Sequence, residues 1–241
     1  HHEHRRQRQM CIRDRMGVKA IEMLNQKNGV APNASLGASP LATGDEGAGD
    51  SAAEMFDGVL ETKSGEPVDA RTALAGKVVA LYFSAHSCGP CRRFTPILRT
   101  LYDEVNEDEE EKKLEVIFVS SDKTSEECTS YMDEMHGEWL RVNYNSEVRA
   151  ALKRRYGCFA KSETDGFPNV VRRGGIPSLV IIGADLDELA HYDCDDGGDG
   201  LKLITSKGGG TMDEWTPHAW SATPAAPRRG SSALPSGLPS G

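Results

Sequence analysis

The chain has 241 residues, with 37 acidic and 28 basic side chains and a formal net charge of -9. That balance argues against general nucleic-acid binding, which needs clustered Lys and Arg. No apolar run approaches the roughly 20 residues that span a bilayer, so no membrane partner is expected.

The chain starts without an apolar h-region and small-residue cleavage site, so no secretory signal is read. The C-terminal "GLPSG" is not a retention signal of the KDEL type. The cytoplasm is therefore the expected compartment, with the nucleus as the alternative. Structural disulfides are rare there, so the six cysteines are read mostly as thiols.

Residues 1–15, "HHEHRRQRQMCIRDR", are basic and aperiodic. They read as a frayed or non-native leader, with Met16 as the natural start. "MGVKA" lacks the Ser or Thr that a myristoylation signal wants at its sixth position, where Ile21 stands. Residues 29–53 are rich in Gly, Ala, Ser and Pro and cannot bury enough surface to offset ordering entropy. Residues 1–54 are expected to be disordered leader and linker. The Pro/Ser/Gly-rich tail from Thr216 to Gly241 reads the same way. One domain is expected over 55–215.

Within it, "MFDGVLETKSGEPVDA" reads as a short hairpin turning at Ser64-Gly65. "KVVALYFS" is a continuous apolar run, the pattern of a strand buried on both faces. Phe94, Ile97, Leu98, Leu101 and Val105 then recur at helical spacing. The acidic run "EDEEEKK" reads as a solvated face and loop. "LEVIFVSS" predicts a second buried strand and "SEECTSYMDEM" a helix. Ser146 is placed to N-cap another helix reaching Tyr156. "PSLVIIG" predicts a third strand and "ELAHYD" a fourth, half-exposed one. Strands alternating with helices imply a mainly parallel sheet covered on both faces.

The candidate chemistry lies in "FSAHSCGPCRRFTP", Phe83 to Pro96. Cys88 and Cys91 stand three apart where a strand gives way to a helix. Three readings are open: a redox pair, half of a metal site, or two silent thiols. A structural zinc usually wants four Cys or His ligands in two close pairs. No second C-x-x-C exists, and Cys128, Cys158 and Cys194 are scattered. The first N–H groups of a helix are unpaired, and its dipole stabilises a thiolate there. Arg92 and Arg93 add positive charge nearby. Cys91, one turn further in, can face Cys88. Gly89 gives the turn freedom, and Pro90 suits a first helical turn. The layout suits an attacking Cys88 and a shielded, resolving Cys91.

These residues resemble the thioredoxin superfamily, and within it the nucleoredoxin and tryparedoxin group. The resemblance runs from about Phe56 to Trp215. It is carried by "LAGKVVALYFSAHSCGPCRRFTPIL", "VIFVSSDKTSEEC" and "GGIPSLVII". It implies a thioredoxin-like α/β fold, a central mixed sheet flanked by helices. It also implies a cis bond before Pro177, with Pro177 packed on the disulfide and the Ile176 backbone pairing with an extended substrate. Ser87, Gly89 and Pro90 would border that groove.

Three positions depart from the group, and a fourth departs from thioredoxin itself. Ser87 replaces the usual Trp, and the centre is Cys-Gly-Pro-Cys where the group has Cys-Pro-Pro-Cys. Tyr82 stands where thioredoxin itself has a buried Asp beneath the resolving cysteine, an absence usual in the nucleoredoxin group. Asn143 replaces a Pro. An insertion, Gly157 to Gly175, lengthens the loop before Pro177 and carries Cys158. The acidic "YDCDDGGDG" around Cys194 lacks the EF-hand spacing and reads as a solvated turn.

The resemblance implies a protein thiol-disulfide oxidoreductase needing no bound cofactor and no metal. Its partners would be protein disulfides and a protein or small dithiol donor; a monomer is expected. The rival reading is a redox-sensing interaction module with little turnover.

Overall fold

The computed structural model describes residues 51–108 and 112–220. In chain order the elements are α1 (Ser51–Met55), β1 (Leu60–Glu61), α2 (Ala70–Leu74), β2 (Val78–Ser84) and α3 (Gly89–Val105). Then come β3 (Leu114–Ser120), α4 (Ser125–Met135), β4 (Leu140–Val142) and α5 (Glu147–Tyr156). The last are β5 (Ser178–Ile182), β6 (Glu188–Asp193), α6 (Asp199–Lys207) and α7 (Met212–Trp215), with short 3-10 turns between.

The apolar runs become the sheet centre. Every residue of β2, β3 and β5 is buried. Side chains alternate across a strand, and two cores follow. Val78, Ala80 and Tyr82 join Val116, Phe118 and Leu179 beneath α3 and α4, with Phe94, Leu98 and Tyr131. Val79, Leu81 and Phe83 face the other way, onto Phe56, Leu74, Leu152 and Tyr156.

The strand order is β1-β4-β3-β2-β5-β6. Only β2–β3 and β3–β4 are parallel. The other three pairings are antiparallel, so the mainly parallel sheet expected from alternation is corrected to a mixed one. A tight turn explains β5–β6: Leu186 N–H bonds Gly183 O, and Gly183 N–H bonds Asp187 O. No helix intervenes there to cross the chain over.

The expected hairpin at Ser64-Gly65 forms, with Thr62 N–H bonded to Glu66 O and Gly65 at φ 88°. Its first strand then pairs with β4. Packed structure reaches past 55 and 215. Ala52 is buried. Trp220 is also buried, its indole N–H donating to Ile182 O at 2.9 Å. The expected leader, most of the linker, Cys11 and the tail after Trp220 lie outside the described residues.

Caps start the helices. Ser146 caps α5 through Val148 N–H, and Thr124 caps α4 through Glu127 N–H. Helix α5 ends at Gly157, whose left-handed φ of 64° suits glycine. A Cβ there would come 2.6 Å from Val171 O. The Gly157 carbonyl accepts from Arg173 N–H at 2.9 Å and Gly174 N–H at 3.1 Å. Both ends of the insertion therefore meet at one residue. Inside it, Phe159 and Phe167 pack ring on ring at 4.7 Å. Glu163 ties it to α5, accepting from the buried Lys153 ammonium at 2.5 Å.

Candidate active site

Buried β2 ends at Ser84, and the chain turns through Ala85–Ser87 into α3. Asp122, just past β3, holds that turn. Its carboxylate accepts from His86 N–H at 2.6 Å and from the Ser120 hydroxyl at 2.7 Å. Asp122 is buried, and burial raises its pKa above the usual carboxylate value.

Cys88 is the N-cap of α3, its sulfur 3.2 Å from the Cys91 N–H. It is joined to Cys91 as a disulfide. Cys88 is half-buried; Cys91 is fully buried. Pro90 falls in the first turn, half-buried, while Ser87 and Gly89 are exposed at the rim. The Ile176-Pro177 peptide is cis. Cys88 Sγ lies 3.7 Å from Ile176 O. Pro177 is buried and Ile176 half-buried. The fold thus brings residues 88, 91, 176 and 177 together from positions far apart in sequence.

The surrounding charge differs from the expectation. Arg92 pairs with Glu134 at 3.5 Å, which also meets His86 Nε2 at 3.1 Å. Arg93 pairs with Asp196 of the acidic loop at 2.5 Å. Carboxylates therefore offset much of the positive field read from those two arginines. The same loop is not wholly solvated, since Cys194 is buried against Gly200.

Sequence reasoning missed a hydroxyl cluster built on Tyr82, the position where thioredoxin has its buried carboxylate. Tyr82 OH lies 2.8 Å from Thr95 Oγ1, which donates to Cys91 O at 2.8 Å. Tyr131 OH lies 2.5 Å from the same Oγ1, and Ser84 joins both tyrosines at 3.1 Å. Four buried hydroxyls form one cluster, joined to the Cys91 carbonyl through Thr95. They stay neutral: burial drives both tyrosine pKa values upward.

Cys158 is fully buried, 3.4 Å from His191 Nε2 and 3.1 Å from where a Gly174 Cβ would sit. Burial pushes its pKa up to about 12. Cys128 and Cys194 are raised for the same reason. Burial with a raised pKa is the pattern of structural, unreactive thiols.

A mixed sheet between helices, with a C-x-x-C opening a helix beside a cis-proline loop, defines a thioredoxin-fold domain. A family model described as Thioredoxin-like matches residues 76–187. Nucleoredoxin of Danio rerio is 37% identical over 131 residues, 54% of this chain and 27% of that protein. A solved thioredoxin from Wuchereria bancrofti is 33% identical over 63% of this chain and 94% of its own, with a TM-score of 0.49. Tryparedoxin from Trypanosoma brucei is 26% identical over 65% and 90%, with a TM-score of 0.46. Residues 76–187 thus match the Thioredoxin-like family, and nucleoredoxins are among the chain's curated relatives. The chain spans about a quarter of the length of the nucleoredoxins from Danio rerio and Homo sapiens that it matches.

Proposed function

We propose that the domain is a protein thiol-disulfide oxidoreductase working through a mixed disulfide. The observation that carries this is the pairing of a half-exposed cysteine at a helix N-terminus with a fully buried one. Reduced, Cys88 ionises more readily because the free N–H groups and dipole of α3 favour the thiolate. The Cys88 thiolate attacks one sulfur of a substrate disulfide. A Cys88–substrate bond forms, the substrate S–S bond breaks, and one substrate thiolate leaves. The Cys91 thiolate then attacks Cys88 Sγ, closing the internal disulfide and releasing the second substrate thiolate. Two electrons have passed to the substrate. A dithiol, protein or small, restores the pair. Ile176 offers backbone beside the sulfur for an extended substrate, and Ser87, Gly89, Pro90 and Pro177 shape the groove.

The unit responsible is the domain expected over 55–215, extended by α1 and Trp220. Among the described residues no helix is long and apolar enough to cross a membrane. A reducing role fits the cytoplasm or nucleus.

The test is reduction of insulin by the full chain with dithiothreitol as donor. Turnover is expected and should vanish in Cys88→Ser. In Cys91→Ser, substrates should stay bound to Cys88 as mixed disulfides that mass spectrometry identifies. An internal disulfide that cycles without turnover of any disulfide would instead favour the redox-sensing reading.

A further inference from the structure

The insertion returns to the site through Val170–Gly175 and lays one arginine beside the groove. Arg172 donates its Nε–H to Phe159 O at 2.9 Å, which anchors the side chain. Its Nη2 lies 2.7 Å from where a Gly175 Cβ would stand, so the guanidinium covers bare backbone. Gly175 adjoins Ile176, whose carbonyl faces Cys88 Sγ at 3.7 Å.

Arg172 differs from its neighbours in charge pairing. Arg92, Arg93 and Arg173 are matched by Glu134, Asp196 and Glu188. Arg172 is exposed and has no carboxylate partner among the described residues. The chain is acidic, at -9 overall, yet leaves this cation open. A guanidinium carries five N–H donors in a planar fork that matches a carboxylate. One of the five is used on Phe159.

We infer that Arg172 is a specificity-determining residue that holds a carboxylate of the disulfide substrate beside the Ile176 edge. The inference rests on the thiol-disulfide reading above. Contact distances and standard bond lengths place the guanidinium within about 14 Å of Cys88 Sγ. An extended chain advances about 3.3 Å per residue. Asp or Glu within about four residues of the substrate cysteine can therefore reach it. The shared chemistry is a carboxylate near a disulfide, whether on a peptide or on a small disulfide.

The test uses the full chain, dithiothreitol and two peptide disulfides. They differ only in carrying Glu or Gln two residues to either side of the cysteine. Oxidised glutathione and its tetraethyl ester, with all four carboxylates masked, form the small-molecule arm. An exposed ion pair predicts a Glu-over-Gln ratio in kcat/KM of about two to five. The ratio should shrink in 0.5 M salt, because the pair is exposed to screening. It should fall to one in Arg172→Gln, invert in Arg172→Glu and survive in part in Arg172→Lys. Gly175→Ala, which displaces the guanidinium without removing its charge, should also lower it. The same ratio for glutathione over its ester would extend the site to small disulfides; its absence there would assign the site to peptides. A wild-type ratio of one in both arms, with normal turnover, overturns the inference and leaves the thiol-disulfide reading standing. A ratio that persists unchanged in Arg172→Gln overturns it too. No turnover of any of these substrates overturns the thiol-disulfide reading, and this inference with it.

Discussion

Asp122 accepts the backbone N–H of His86 at 2.6 Å, tying the end of β3 to the turn that carries the cysteines. Removing the carboxylate leaves that N–H without its partner and loosens the approach to Cys88. Small misplacements of reacting groups are costly in rate. Asp122→Ala should lower kcat/KM for a peptide disulfide by about tenfold. Asp122→Asn retains an acceptor oxygen and should keep most of the rate. Equal loss in both would mean that the charge matters and not the tether.

Cysteine reactivity should be sharply unequal. In the reduced, folded protein, iodoacetamide should label Cys88 first. Cys91, Cys128, Cys158 and Cys194 are buried and should label only after denaturant is added. Peptide mapping by mass spectrometry separates them and follows Cys11 independently. Early labelling of Cys91 would reverse the assigned roles.

Thr95 is the hub of the hydroxyl cluster and its link to the Cys91 carbonyl. Thr95→Val keeps the shape but removes a donor to Cys91 O and a partner of two buried tyrosines. Leaving such groups unsatisfied costs about 1–3 kcal/mol. Urea unfolding should show a loss in that range, and Thr95→Ser should recover most of it. A neutral Val variant would remove the cluster from the list of supports for α3.

Stability should also depend on pH through Glu115. Burial raises its pKa from 4.5 to about 7, although Lys77 at 3.4 Å opposes the shift. Between those values the folded chain holds a proton that the unfolded chain has lost. Stability therefore falls as pH rises from 4.5 to about 7 and is flat above. The shift corresponds to about 3 kcal/mol. Glu115→Gln cannot ionise, so its stability relative to wild type should improve by about 2–3 kcal/mol between pH 4 and pH 8. A difference that does not vary with pH would show that Glu115 titrates normally.

The sequence made some of this legible and hid the rest for physical reasons. β2, β3 and β5 were readable because a strand buried on both faces is one apolar run. Helix α5 announced itself through Ser146, and α4 through the run "SEECTSYMDEM"; the Thr124 cap of α4 appears only in the structure. β4 was missed because three residues, Leu140–Val142, are too few to show a period. α6 was missed because it starts inside the Gly- and Asp-rich stretch after Cys194. The cysteine pair could be seen because its spacing is local. The hydroxyl cluster could not, since Tyr82, Ser84, Thr95 and Tyr131 come from three separate elements. Arg172 was hidden likewise, because an unpaired cation is recognised only once its neighbours' partners are known.

The double bond pair at the Gly157 carbonyl has an evolutionary consequence. Arg173 and Gly174 both return to that oxygen, so the excursion leaves and re-enters the scaffold at one point. Changing the length of a loop whose ends are already joined costs little, roughly 0.6 kcal/mol per doubling. Descendants of this chain can lengthen, shorten or recharge the tip between Lys161 and Val171 while Ile176 and Pro177 keep their place. On the reading proposed above, selection can act on which disulfides are chosen without reopening the question of how they are broken. The insertion is a replaceable cartridge on a fixed reactive core.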